Sequence, residues 1–196
     1  MLENVKGISF SKNLPYRLHI FKRLRQMGYD AEWRLMRGTD FNVPQARERM
    51  ILVALQKGIM HRFRWPVPHI RDQLTVGEAL FDLMSERGWK HPEAWARLAN
   101  RPAYTIVGGS QKTSPGITQE RSRQDWLDHL KTEPEEFVLD APGEDAGTVV
   151  IGDFSTYPKM TVRMLARLQG FPDTWKFAPK PGTTGFDSRS DIPENN

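Results

Sequence analysis

The chain has 196 residues, 38% apolar and 27% charged, enough for one sizeable core or a core with a smaller lobe. It contains no cysteine, which excludes disulfides, thiolate metal sites and a cysteine nucleophile within it. A net charge of +4 and a pI near 9.4 lean towards polyanionic partners, while the lack of a long apolar run or a basic-flanked leader points to a cytoplasmic protein with no membrane partner.

Residues 1–5 read as the end of a buried strand. Over 14–27, Leu14, Leu18, Phe21, Leu24 and Met27 form a helical apolar stripe opposite basic residues, with Gly28 as its stop. Residues 29–35 alternate Tyr29, Ala31, Trp33 and Leu35 against Asp30, Glu32 and Arg34, a strand pattern. After turn chemistry at 39–45, residues 49–55 read as a buried strand, so the two strands predict a hairpin. Residues 61–70 are basic, aromatic and broken by prolines, which reads as a linker or lobe boundary. A second helix is predicted from a Thr75 cap, with Glu78 completing a capping box and Gly88 at its end.

Residues 91–100 predict a short helix, 101–116 a short strand entering a Gly/Ser/Lys loop, and 118–130 another helix. The acidic stretches 131–137 and 140–147 read as solvated loops. The last ordered element is predicted over 159–170: Thr161 caps it, Val162, Leu165 and Leu168 face inward, and Gly170 supplies a left-handed end. Beyond Phe177 the polar, aperiodic tail is expected to be poorly ordered. Trp33, Trp89, Trp95, Trp126 and Trp175 are expected in the core, and the five histidines show no metal-ligand spacing.

Chemistry concentrates just before the buried run. On a strand, Gln45, Arg47 and Arg49 share a face behind Pro44. A guanidinium offers a fixed fork of donors and stays charged when desolvated. The bland alternative is solvated charge at a strand end, so other segments must decide.

Those segments are "ENV" at 3–5, "NVPQARER" at 42–49 and "KMTVRMLARLQGFPD" at 159–173. In this order they resemble three motifs of the DNA cytosine-5-methyltransferases: Glu-Asn-Val, Pro-Gln-x-Arg-x-Arg, and a long motif ending Arg-Leu-Gln-Gly-Phe-Pro. The stretch 101–112 also resembles part of the recognition regions of bacterial members. The resemblance implies S-adenosylmethionine as methyl donor for the complete enzyme and a cytosine extruded from double-stranded DNA. Glu3 matches the residue that protonates ring nitrogen 3, and Arg49 the one that holds the exocyclic oxygen. Arg47 would position nearby backbone or phosphates with Gln45 beside it as a further DNA-binding candidate, Arg163 is expected chiefly to knit the two lobes while still able to reach a phosphate, and in the recognition region Thr105, Gly108, Gly109 and Lys112 are candidates for base or backbone contact. For that glycine loop an ordinary mobile loop stands as an equal alternative. Asn4, Val5, Pro44, Thr161, Arg167 and Gly170 match structural positions.

The departures are as informative. The family's Pro-Cys and glycine-rich cofactor segments belong upstream of "ENV", where only Met1 and Leu2 stand. Its closing Gln-x-Gly-Asn segment has no counterpart after Phe177. Met164 replaces a glutamate that would complete a capping box with Thr161. The expectation is a C-terminal portion that neither binds the cofactor nor methylates DNA alone; a split enzyme with a complementary chain, a truncated product and a fragment all fit. A strand exposed at "ENV" predicts marginal stability or aggregation.

The fold implied is α/β: a partial Rossmann-like methyltransferase lobe of later strands and helices at 1–58, a mixed, irregular target-recognition lobe at 59–157, a lobe-bridging helix segment at 158–177 and a disordered tail at 178–196. A stand-alone DNA-binding module and a small basic interaction domain are the competing readings.

Overall fold

A computed structural model describes residues 1–69, 73–106, 120–138, 140–146, 149–150, 153–154 and 157–177. The chain divides into two units, Met1–Leu74 and Thr75–Asn196.

In the first unit the alternation of apolar and charged residues produces two long strands, β2 (Tyr29–Arg37) and β3 (Glu48–Gln56). They form an antiparallel hairpin from Tyr29 opposite Gln56 to Arg37 opposite Glu48. A short strand, β1 (Leu2–Val5), pairs antiparallel with the other side of β3, giving the order β1-β3-β2. β1 and β2 therefore run parallel to each other, joined by helix α1 (Leu14–Gln26), with β3 inserted between them. This small, antiparallel-paired sheet and its helix make a mixed α/β unit.

Opposed residues share a face, so Met50 and Leu52 of β3 point to the side of Trp33. Both are buried, and Phe21 of α1 meets Trp33 edge-on at 6.4 Å. Gly28 ends α1 at φ 84°, a conformation that costs a glycine little.

Two expectations are corrected in this unit. β1 is an outer strand with every residue exposed, not a buried one. Leu14, Leu18 and Met27 of α1 are also exposed, because a sheet of three strands is too narrow to cover the whole apolar stripe. The basic, proline-broken stretch belongs to the first unit as a strap following β2. The Gly58 N–H donates to Asp30 (3.0 Å), the Trp65 indole to Glu32 (3.0 Å), and the His69 N–H to the Asp40 carbonyl (2.7 Å). The Arg34 guanidinium lies 5.4 Å from the centre of the Trp65 ring.

The second unit opens with α2 (Val76–Ser85). Its capping box is complete: Thr75 Oγ1 accepts from the Glu78 N–H at 3.2 Å, and Glu78 accepts from the Thr75 N–H at 2.9 Å. Val76, Leu80, Leu83 and Met84 are buried. Gly77 packs so closely on α3 (Pro92–Leu98) that a Cβ there would fall on the Ala96 carbonyl. Trp95 and Trp126, the latter on α4 (Glu120–Leu130), are buried, and the Trp95 indole donates to the Leu130 and Lys131 carbonyls at 3.2 Å each.

Residues 131–137 are not a loop. Glu133–Val138 form β4, which pairs parallel with Lys159–Thr161 (β7), the two-residue strands Val149–Val150 (β5) and Asp153–Phe154 (β6) intervening in sequence. The acids hide this strand because its ladder is made with a partner about 25 residues away, where no local pattern records it. The final helix is shorter than predicted: Lys159–Thr161 is strand, and α5 spans Val162–Leu168. Its capping box survives the loss of glutamate. Met164 N–H donates to Thr161 Oγ1 at 3.1 Å, and the Met164 thioether accepts from the Thr161 N–H at 3.4 Å.

Residues 101–106 form no strand, only a lone bridge at Ala103. Trp175 is 56% exposed and rests against Phe171, so it is not a core residue; the chain ends its helix packing before reaching it. The predicted tail at 178–196 lies outside the described residues.

Candidate active site

The pairing of β1 with β3 builds the site. Glu3 stands opposite Ile51, and Arg49, two residues along β3, shares that face at diagonal distance, within reach of long side chains. The Glu3 carboxylate forms an ion pair with Arg49, 3.0 Å from its Nε, and Arg47 lies 3.9 Å away. Arg49 is also held by the Glu48 carbonyl, which accepts from Nη1 at 2.8 Å. Burial and the neighbouring Arg49 charge push the Arg47 guanidinium below its usual range, against the opposing pull of Glu3.

Glu48 points to the other face. Its carboxylate bridges Lys6 (2.7 Å) and Arg37 (3.0 Å), and the Lys6 hydrogen bond, seconded by Arg37, holds it below the usual carboxylate range. Sequence reasoning gave Glu48 no role and passed over Lys6 and Arg37. The hairpin register, which sets Arg37 opposite Glu48, is the signal that finds this trio.

The loop that delivers the arginines is tied to itself. Gly38 N–H donates to the Arg47 carbonyl (2.9 Å), Val43 N–H to the Gly38 carbonyl (3.1 Å) and Arg47 N–H to the Gln45 carbonyl (2.8 Å). Asn42 takes the left-handed turn at φ 57°. A Cβ at Gly38 would sit 2.8 Å from the Gln45 carbonyl, so only glycine fits there.

The alternation predicted from Gln45 to Arg49 does not hold over its whole length. β3 begins at Glu48, and the tied loop turns Gln45 inward: its side chain is fully buried and its amide has no partner among the described residues. Gln45 therefore does not stand at the surface beside the arginines. Pro44 is buried next to it, and Asn4 accepts from the Val5 N–H at 2.8 Å.

The remaining candidates lie in the second unit. Arg163 pairs with Glu86 and Asp173, each at 3.3 Å. Arg167 donates to Asp173 (2.9 Å), to the Ala79 carbonyl (3.1 Å) and to Asp82, tying α5 to α2. Asp173 is held well below the usual carboxylate range by Arg167 first and Arg163 second. Gly170 ends α5 at φ 85°. Thr105 is half-buried, and Gly108, Gly109 and Lys112 lie outside the described residues. Among the described residues no cluster of His, Asp or Glu could hold a metal ion, and no helix is long and apolar enough to cross a membrane.

Comparison with known proteins gives a consistent picture. The family model for the C-5 cytosine-specific DNA methylase matches residues 1–186. The Type II methyltransferase M.NaeI of Lentzea aerocolonigenes is 44% identical over 180 residues, covering 90% of this chain and 41% of the relative. The Type II methyltransferase M.NgoMIV of Neisseria gonorrhoeae is 37% identical over 186 residues, covering 92% and 55%. The chain thus spans about half the length of these relatives. Among solved structures, the S. pombe Dnmt2 methyltransferase aligns at a TM-score of 0.41 and 16% identity, over 90% of this chain and 56% of that one.

Proposed function

Because the chain belongs to the C-5 cytosine-specific DNA methylase family, we propose that it is the C-terminal portion of a DNA cytosine-5-methyltransferase, with a partial Rossmann-like lobe and a recognition lobe. It supplies base-pocket and recognition residues to an enzyme that transfers a methyl group from S-adenosylmethionine to cytosine in a specific duplex sequence.

The observation that carries this reading is the meeting of Glu3 and Arg49 at 3.0 Å across 46 positions of sequence. A carboxyl group and a guanidinium fork on one face are what an extruded cytosine requires. The carboxyl serves ring nitrogen 3, and the Arg49 guanidinium serves the neighbouring carbonyl oxygen. Arg47, beside both, is the candidate for a backbone phosphate, and Thr105, Gly108, Gly109, Lys112 and Arg163 are the candidates for duplex contact from the second unit.

S-adenosylmethionine supplies the methyl group in such chemistry. The described residues do not fit it: the turn from β1 to α1 holds a single glycine, Gly7, and Glu3 lies on an open face, 55% exposed. No step by this chain passes through the cofactor. With no cysteine among the 196 residues, the attacking thiolate comes from outside them, from further sequence of the same polypeptide or from a complementary chain.

The test is to mix the chain with a polypeptide carrying the Pro-Cys and glycine-rich segments and measure methyl transfer to duplex DNA. We expect no transfer by the chain alone, transfer by the mixture, and losses of about 100-fold or more in Glu3→Gln. Transfer that is indifferent to both Glu3→Gln and Arg49→Ala, or no transfer from two folded components, overturns the proposal.

A further inference from the structure

Glu48 precedes Arg49 in β3, so strand alternation sends the two side chains to opposite faces of the sheet. On its own face Glu48 is gripped from both neighbouring strands. The register sets Arg37, the last residue of β2, directly opposite it, and Lys6 follows Val5, the β1 partner of Arg49. Each cation takes a different oxygen: Lys6 Nζ lies 2.7 Å from Oε2, and Arg37 Nε donates to Oε1 at 3.0 Å. Two cations on two oxygens fix the plane of the carboxylate as well as its position.

Both cations are themselves anchored. Lys6 opens the tight turn Lys6–Ser9, whose Ile8 is buried and whose Gly7 carbonyl accepts from the Asn13 side chain at 2.7 Å. Arg37 leads into Gly38, whose N–H donates to the Arg47 carbonyl at 2.9 Å. Ion pairs near the surface add little to stability, so the consequence of this clamp is geometric. The Glu48 carbonyl accepts from Arg49 Nη1 at 2.8 Å. A residue clamped by its carboxylate on one face thus presents the main-chain acceptor that orients the guanidinium on the other. Glu3 holds the same guanidinium by an ion pair, 3.0 Å from Nε. That hold weakens whenever the Glu3 carboxyl is protonated, the state in which it serves as an acid. A main-chain carbonyl takes up no proton and keeps its grip throughout.

We propose that Glu48, clamped by Lys6 and Arg37, is a positioning residue for the base pocket: it keeps the Arg49 guanidinium aimed while Glu3 gains and loses its proton. The inference rests on the reading of the chain as part of a DNA cytosine-5-methyltransferase for the proton on Glu3. Glu48 itself touches neither the base nor the cofactor; it acts through Arg49.

The first measurement needs only the full chain: the rate at which the Arg49 Nε–H exchanges with water, read by isotope-edited NMR, the signal being identified by its loss in Arg49→Lys. Glu48→Gln should quicken that exchange about 10-fold, the loss of roughly one hydrogen bond to a charged group. If Glu48→Gln does not fold by circular dichroism, Lys6→Gln with Arg37→Gln frees the same carboxylate from half-exposed positions and should do the same. An unchanged rate in a folded variant overturns the inference. The second measurement is methyl transfer by the complemented mixture. There Glu48→Gln should lower kcat about 10-fold with KM for S-adenosylmethionine unchanged, and should cost nothing further in Arg49→Lys. Equal losses in both backgrounds mark a general structural role and overturn the inference. A wild-type mixture that transfers no methyl group counts against the methyltransferase reading, and the exchange rate then decides the role of Glu48 by itself.

Discussion

Glu3 is held by two guanidinium groups, and that pairing depends on one register. Shifting β1 by a single residue against β3 would turn the carboxylate to the opposite face and leave Arg49 alone. The same dependence on placement governs Asp173. Its carboxyl, hydrogen-bonded by Arg167, is held below the ordinary aspartate value, so the stabilisation it gives is complete above about pH 4 and is lost as the pH falls through the lower folded-state value. Arg167→Ala should destabilise the second unit by about 2 kcal/mol at neutral pH, a typical value for hydrogen bonds to charged groups. The gap from wild type should narrow as the pH falls below about 4 and Asp173 takes up its proton in the folded state; thermal melts across pH check this, and a gap independent of pH would contradict it.

At the scale of elements, the tightest fit lies between α2 and α3, where Gly77 meets the Ala96 backbone. Gly77→Ala should force the helices apart and cost about 2 kcal/mol, within the range for overpacked cores, read by urea unfolding followed through the buried Trp95. The helices themselves were legible from sequence: caps at Thr75 and Thr161, apolar spacing and the glycine at 88 are local signals. The hairpin was legible for the same reason. What stayed hidden was non-local. β4 needs a partner about 25 residues on, the capping role of the Met164 thioether needs the helix already formed, and the burial of Gln45 follows from a loop tied by its own backbone. The Glu3–Arg49 meeting was anticipated only because a family resemblance linked two distant segments; alternation alone could not have joined them.

At the scale of the molecule, the first unit combines two surface properties. It carries the positive excess, fourteen Lys and Arg against six Asp and Glu over residues 1–74, and it also exposes Leu2, Val5, Phe10, Leu14 and Leu18. Apolar side chains along an open strand edge favour association, while the net charge of residues 1–74 opposes it at low salt. The chain alone should therefore sediment faster as loading concentration and salt rise. Leu2→Lys together with Val5→Lys should restore a monomer; sedimentation velocity on both proteins decides.

The two margins of the first sheet are not equivalent. Along β2 runs a strap containing Pro66 and Pro68, which offer no N–H to a newcomer, whereas β1 is bare. Two copies joined through β1 would consume both bare margins at once and present only strapped ones outward.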